Sequence, residues 1–168
     1  SGVKAAKKAD RTASDGLVRV EISPDGSSAV VVEVNCETDF AARHEDFKGF
    51  VSTVTSQVLA SGETDVAKIL ESGIESERQA IVQKIGENVS LRRAARVASD
   101  GGVIADYVHN GKIAVLVQLK GGDYEIGRDV AMHVAATNPL VVVPEDVDAD
   151  TLAAEKKMYQ SRADVVVD

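Results

Sequence analysis

The feature of this sequence that most constrains its fold is a repeat of two β-rich runs, a tight turn and an amphipathic helix. The first copy turns at Pro24-Asp25-Gly26 and the second at Asn110-Gly111, and both turns are typical of β-hairpins. Two such copies predict an α+β fold with two related subdomains, each an antiparallel hairpin-based sheet packed with helices. An internal duplication accounts for the repeat.

The helix of each copy is predicted from apolar residues that recur at a spacing of three or four. Such spacing places them on one face, which is expected to pack on the sheet. In the first copy these residues are Phe47, Phe50, Val51, Val54 and Val58. In the second copy they are Ile126, Val130 and Val134.

These patterns divide the chain into four expected segments. Residues 1–16 are expected to form a helical lead-in that ends at a glycine, and residues 17–98 the N-terminal core subdomain. Residues 99–140 are expected to form the C-terminal core subdomain, and residues 141–168 an extended segment followed by a helix.

The two copies differ between the second strand and the helix, where the first copy has six more residues within 35–41. Loops that join strands to helices often carry function. This insertion contains an aromatic residue, Phe40, among acidic and polar neighbours. Either Phe40 packs against Phe47 or Phe50 and fixes the start of the helix, or it is exposed as an anchor for a partner.

Composition narrows the classes of function. The net charge of −8 argues against nucleic-acid binding, which depends on Lys and Arg side chains that neutralise phosphates. A single cysteine, Cys36, cannot form an internal disulfide and indicates a reducing compartment. With no signal peptide and no membrane-spanning run recognised, no membrane association is expected, and the cytoplasm or an organelle matrix is the expected location.

Nucleotide and metal sites are not indicated. Gly111-Lys112 is followed by a hydrophobic residue rather than Ser or Thr, so it does not match a phosphate-binding loop. The histidines are too far apart for ligand spacing, and one of them, His133, is expected to be a hydrogen-bonded core residue. Neither a metal nor a cofactor is predicted.

Two enzymatic alternatives remain open from the residues alone. Cys36 has His44 eight residues away, which would suit a thiol hydrolase if the thiolate were activated. Asp39 and Glu37 could act as an acid–base pair. A cysteine that follows a valine-rich strand is more typical of a small buried side chain, and no complete catalytic constellation is recognised.

Five segments, in register over residues 4–157, resemble the elongation factor Ts family of bacteria and organelles. They are Val34-Asn35-Cys36-Glu37, then Thr38-Asp39-Phe40-Ala41, then Lys84-Ile85-Gly86-Glu87-Asn88-Val89 with Arg92-Arg93, then Tyr107-Val108-His109, and Ala131-Met132-His133-Val134-Ala135-Ala136 with Pro139. The family fold has two related α+β subdomains, in agreement with the repeat.

The resemblance implies a guanine nucleotide exchange factor that binds elongation factor Tu during translation elongation, without being an enzyme. It implies that Thr38, Asp39, Phe40 and Ala41 approach the Mg²⁺ of the partner's nucleotide site. Phe40 would wedge between side chains there, and Asp39 would pull on the helix that supports the metal. Further partner contacts are implied at Ile85, Gly86 and His109, the last on a different domain of the partner.

The family pattern also predicts parts beyond this sequence. Relatives usually begin with a small helical domain and continue past the present end, so the chain is expected to be a fragment. The final Val165-Val166-Val167 is expected to be an element that is cut short or needs a partner. A homodimer, or a purely structural oligomerisation role through these valines, is therefore a further alternative.

Overall fold

The computed structural model describes residues 10–136 and the backbone of residues 165–166. Its first strands and helices are β1 (Asp15–Ile22), β2 (Ser28–Cys36), α1 (Asp39–Ala42), α2 (Glu45–Ser61), α3 (Val66–Ile69), α4 (Glu75–Ile85) and β3 (Ser90–Ala98). They are followed by β4 (Val103–His109), β5 (Ile113–Leu119), α5 (Tyr124–Ala136) and β6 (Val165–Val166). The fold is α+β, as the repeat predicts.

Two three-stranded sheets share one topology. Their strand orders are β1-β2-β3 and β4-β5-β6, so each hairpin receives a third strand on the free edge of its second strand. In the second sheet β4 and β5 are antiparallel, with Val103 opposite Leu119 and His109 opposite Ile113. The equivalent order of the two sheets agrees with the duplication inferred from the sequence.

The chain packs as two units. The first contains the described residues up to Glu21 and Val30–Ala95, and the second contains Ile22–Ala29 and the described residues from Arg96 onward. The tip of the β1-β2 hairpin therefore belongs to the second unit. A division by sequence position alone does not give this assignment.

The predicted lead-in helix lies largely outside the described residues. Residues 10–14 form a turn and irregular chain, and Asp15 and Gly16 already belong to β1, so the expected helix end at these two residues is wrong. Gly16 has a φ of 143°, and a Cβ atom there would lie 2.1 Å from the carbonyl oxygen of Val34. The glycine is therefore required by close approach of the neighbouring strand rather than by a helix end.

The tail predicted for residues 141–168 also lies outside the described residues, except for the backbone of Val165 and Val166. Val165 and Val166 form β6, which pairs antiparallel with β5 of the same chain through Leu119 and Gln118 respectively. The backbone of these valines thus finds its partner strand within the chain.

The core of the first unit confirms the predicted apolar face of α2. Phe47, Val54 and Val58 are fully buried, and Phe50 and Val51 nearly so. The helix begins after His44, whose Nδ1 accepts a hydrogen bond from the Asp46 amide at 3.1 Å. It ends at Gly62, whose φ of 71° is in the left-handed region that terminates many helices.

The buried face of α5 includes Val130, as predicted, but differs from the prediction at Ile126. Ile126 is 40% exposed, whereas Gly127, Val130, Ala131 and Ala135 are buried. The missing side chain of Gly127 is the cause, since a Cβ atom there would lie 2.5 Å from the Cβ of Ala105. The helix therefore packs its glycine on the sheet, and Ile126 rotates outward.

Two other positions on α5 complete this comparison. Val134 packs against the second core, as predicted. His133 is exposed, so the expectation of a core histidine is wrong. The outward rotation of the face that carries Ile126 also carries this side chain to the surface.

The hairpin turns follow their sequence signals. Asn110 and Gly111 both have positive φ angles, 52° and 68°, and together with Lys112 they form the three-residue connection between β4 and β5. In the other turn, the Asp25 carboxylate accepts hydrogen bonds from the hydroxyls of Ser23 and Ser27, each at 2.7 Å, and from the Ser27 amide at 3.0 Å. The Ser23 hydroxyl is the largest of the contributions that lower the pKa of Asp25 to about 2.

This carboxylate yields a prediction for acid conditions. Because its pKa is lower in the folded chain than the usual 3.8, the carboxylate favours folding at pH values above about 4, and that contribution is lost as the pH falls towards 2. An NMR titration of the Asp25 carboxyl carbon is expected to give a midpoint near 2, and Ser23→Ala is expected to raise it. A midpoint near 3.8 in the unmodified chain would show that the turn does not hold the carboxylate.

Candidate functional site

The candidate site is the connection between β2 and α2, residues 37–44, here called the insertion loop. It contains eight residues, whereas the equivalent connection between β5 and α5, residues 120–123, contains four. The predicted asymmetry is therefore present, although it amounts to four residues by strand and helix ends rather than six. The additional chain forms α1.

Helix α1 is a single turn fixed at its start and on its inner face. The hydroxyl of Thr38 caps it by accepting a hydrogen bond from the Ala41 amide at 3.3 Å. Ala41 and Ala42 are buried in the first core. Their small side chains let the turn lie close to the core, and the opposite side of the turn faces outward.

Phe40 lies on that outward side. Its side chain is 84% exposed, the largest exposure of any large hydrophobic residue in the described part of the chain. Packing against Phe47 or Phe50 is therefore excluded, because that arrangement would bury the ring. An exposed aromatic ring on an anchored turn is suited to act as an interface anchor, since aromatic side chains are enriched among the residues that dominate binding.

The loop is bound to the segment that joins α4 to β3 through one carboxylate. Glu87 Oε1 accepts hydrogen bonds from the amides of Glu37 and Thr38 at 3.0 and 2.9 Å. Its Oε2 accepts one from the Thr38 hydroxyl at 2.7 Å. These three hydrogen bonds, here called the Glu87 clamp, join residues about 50 positions apart in the sequence.

A reciprocal contact strengthens the same junction. The carboxylate of Glu37 accepts a hydrogen bond from the Asn88 amide at 2.7 Å and lies 3.6 Å from the Arg11 guanidinium. Asn88 in turn donates its side-chain amide to the carbonyl of Arg11 at 2.8 Å. The insertion loop is therefore held by carboxylates from both sides of the junction.

Asp39 is engaged by a neighbour on the same turn. Its Oδ2 lies 2.5 Å from the guanidinium of Arg43, four residues later, and the side chains are 42% and 75% exposed respectively. An ion pair this exposed contributes little to stability because water and salt screen it. The carboxylate can therefore exchange this partner for another cation at low cost.

Two further predicted site residues lie beside the Glu87 clamp. Ile85 is half-buried against the first core, and Gly86 ends α4 with a φ of 84°. They are the two residues before Glu87, so the Ile85-Gly86 corner lies at the junction that holds the insertion loop. Near this corner, the ammonium of Lys84, 2.9 Å away, holds the pKa of Asp46 below its usual value.

His109 belongs to the second unit, at the end of β4. It is exposed, and its Nδ1 lies 3.0 Å from the hydroxyl of Tyr107. The Arg128 guanidinium in turn lies over the Tyr107 ring, 5.8 Å from its centroid. The histidine ring is thus oriented by its own sheet.

The enzymatic alternatives find no support in this geometry. Cys36 is fully buried and its thiol donates to the carbonyl of Thr38 at 3.2 Å, so it lines the core and is not presented to a substrate. Of the possible acid–base pair, Glu37 is held in the junction by the Asn88 amide, so its carboxylate is occupied by a structural contact. Within residues 10–136, no group of three or more His, Cys, Asp or Glu side chains is placed to bind a metal.

Sequence reasoning missed the residues that hold the loop, above all Glu87, Asn88 and Arg11. No local periodicity marks them, since their partners are distant in sequence. One signal was available: an acidic residue followed by asparagine directly after a helix-ending glycine, a position where polar side chains commonly bind exposed backbone groups.

In the part of the chain that the structure describes, no helix is long and apolar enough to cross a membrane.

These features define a class: α+β proteins with two sheets of equivalent topology, the first of which displays an aromatic residue on a short, anchored turn. The chain belongs to the elongation factor Ts family, whose model matches residues 37–165.

Similar proteins cover nearly the whole chain. The elongation factor Ts of Hahella chejuensis is 53% identical over 98% of this chain and 57% of its own length. That of Alcanivorax borkumensis is 53% identical over 96% and 59%, and that of Arthrospira platensis 48% identical over 96% and 68%. The chain thus spans somewhat more than half the length of the first two relatives.

Proposed function

We propose that this chain is the core of a translation elongation factor that promotes release of GDP from elongation factor Tu. The proposed partner is a protein, and no covalent chemistry is assigned to the chain. The observation that carries the proposal is Phe40, 84% exposed on a turn whose other side is buried. Membership of the elongation factor Ts family supports the identity of the partner.

The display of Phe40 suits a wedge. Aromatic residues dominate the binding energy of protein interfaces when they enter a pocket. Because α1 is capped by Thr38 and anchored by Ala41 and Ala42, little conformational freedom is lost when Phe40 binds. We propose that Phe40 enters between side chains of elongation factor Tu close to its nucleotide site.

Asp39 supplies the charged part of the proposed mechanism. Its carboxylate is paired with Arg43 in the free chain, and this exposed pair can be exchanged for a contact on the partner. We propose that Asp39 then draws on the helix that supports the partner's Mg²⁺. Mg²⁺ bridges nucleotide phosphates, so a disturbed metal site weakens the electrostatic hold on GDP.

The remaining contacts are proposed for both units. The Ile85-Gly86 corner is adjacent to the insertion loop through Glu87 and is proposed to extend the same contact surface. His109, oriented by Tyr107 in the second unit, is proposed to bind a different domain of elongation factor Tu. The proposed setting is the cytoplasm or an organelle matrix, where translation takes place.

Linkage governs the energetics. If the chain binds nucleotide-free elongation factor Tu more tightly than the GDP form, it must weaken GDP binding by the same factor. GDP and the chain therefore expel each other, and GTP then refills the vacated site. Exchange therefore requires only that the chain bind the nucleotide-free form of elongation factor Tu more tightly than the GDP form.

The test follows the release of fluorescent GDP from elongation factor Tu after a chase with unlabelled nucleotide. The chain is expected to accelerate release, and Asp39→Ala is expected to reduce the acceleration while leaving the fold intact. Ile126→Ala, which removes an exposed apolar side chain of the second unit, is the control and is expected to retain activity. Absence of both acceleration and complex formation with the unmodified chain would contradict the proposed function.

A further inference from the structure

Glu87 accepts three hydrogen bonds from the insertion loop. Both of its carboxylate oxygens accept hydrogen bonds, and all three donors belong to Glu37 and Thr38. Charge-assisted hydrogen bonds of this kind are stronger than neutral ones. Yet Glu87 lies outside α1 and has no side-chain contact with Phe40 among the hydrogen bonds and ion pairs of the described residues.

The geometry explains what such a carboxylate contributes. A helix of four residues, like α1, is far too short to be stable alone, since nucleation of a helix costs more than one turn returns. The first amides of a helix also need acceptors. The Glu87 clamp binds the amides of Glu37 and Thr38, which lead into that turn, and the hydroxyl of the capping residue itself.

Thr38 makes the arrangement cooperative. Its hydroxyl donates to Glu87 Oε2 at 2.7 Å and accepts from the Ala41 amide at 3.3 Å. Donation to the carboxylate orients the oxygen lone pairs towards the helix amide, so each hydrogen bond favours the other. The direction in which Phe40 projects therefore depends on a carboxylate from another part of the first unit.

We infer that Glu87 is a positioning residue for partner binding: it holds α1 in the orientation that presents Phe40, and it acts through Phe40 rather than by contact with the partner. This inference rests on the proposed function. In this role the α4–β3 junction supports the insertion loop, and loss of the Glu87 clamp leaves the core folded but the Phe40 ring misplaced.

The first arm of the test examines the free chain. In Glu87→Ala, hydrogen exchange at the amides of Glu37 and Thr38 is expected to accelerate by about tenfold or more, because both amides lose their acceptor. Glu77→Ala is the matched control, since Glu77 is an exposed glutamate on α4. Unchanged exchange at both amides in Glu87→Ala would overturn the inference without reference to any partner.

The second arm measures binding to nucleotide-free elongation factor Tu. Glu87→Ala is expected to weaken binding by about tenfold, whereas Glu87→Gln retains an amide oxygen for the two backbone donors and is expected to recover part of the loss. In a Phe40→Ala background, Glu87→Ala is expected to have little further effect, because the anchor it positions is absent. A purely structural role would not produce this dependence on Phe40.

The outcomes separate the inference from the function on which it rests. If the unmodified chain binds, but Glu87→Ala binds equally well or its loss multiplies with that of Phe40→Ala, the positioning role is overturned and the proposed function stands. If the unmodified chain does not bind at all, the proposed function is overturned and this inference with it.

Discussion

Replacing Phe40 with alanine is expected to weaken binding to nucleotide-free elongation factor Tu by roughly 30- to 1000-fold, the range for loss of an interface hot spot worth roughly 2–4 kcal/mol. The maximal rate of GDP release is expected to fall with it. Because the ring is 84% exposed, its removal takes little apolar surface out of the core. The free energy of unfolding is therefore expected to change by no more than about 0.5 kcal/mol.

Titration calorimetry and urea unfolding of the same preparation check both parts of this prediction. Ile126→Ala again provides the control, since it removes an exposed apolar side chain from the other unit. Binding by Phe40→Ala within twofold of the unmodified chain would contradict the role of the anchor. A large loss of stability would show instead that the ring packs against the protein in solution.

The second large effect is expected at Phe47, seven residues further along the chain. Phe47 is fully buried among the residues of the first core, so Phe47→Ala removes a ring and leaves a cavity. A loss of roughly 3–5 kcal/mol in the free energy of unfolding is expected. Urea unfolding followed by far-UV circular dichroism measures it, and a change below about 1 kcal/mol would contradict the assignment of this ring to the core.

The two phenylalanines show how far sequence periodicity can be used. Phe47 repeats with Val51, Val54 and Val58 at helical spacing, and burial of that face is determined locally by the geometry of a helix on a sheet. Phe40 lies outside any periodic pattern, so sequence alone left two positions for its ring. Its exposure depends on how α1 packs, which in turn depends on distant parts of the chain.

The features that the sequence did not predict also depend on contacts between distant parts of the chain. The Glu87 clamp joins residues about 50 positions apart, and no local rule reports such a contact. On α5 the prediction was correct for Val130 and Val134 and wrong for Ile126, because the spacing of large apolar residues does not take account of the small Gly127. Close packing of a helix on a sheet can favour a glycine at the interface, and the neighbouring Ile126 is then turned outward.

Hairpins and turns were predictable because their requirements are local. Asn110 and Gly111 both adopt positive φ angles and few residues do so readily, so the position of the turn follows from the sequence. The asymmetry between the two copies was also visible as extra residues before α2. The way in which α1 is anchored, however, involves contacts that only the folded chain assembles.

The measurement that tests the central claim most directly is the coupling between this chain and GDP on elongation factor Tu. The Kd of the chain is measured for nucleotide-free and for GDP-bound elongation factor Tu, with the unmodified chain and with Phe40→Ala. The account predicts that the chain binds the nucleotide-free form much more tightly than the GDP form. The ratio of the two Kd values is expected to equal the factor by which the chain weakens GDP binding, and to be smaller for Phe40→Ala. Equal affinity for the two forms, or a factor that Phe40→Ala leaves unchanged, would contradict it.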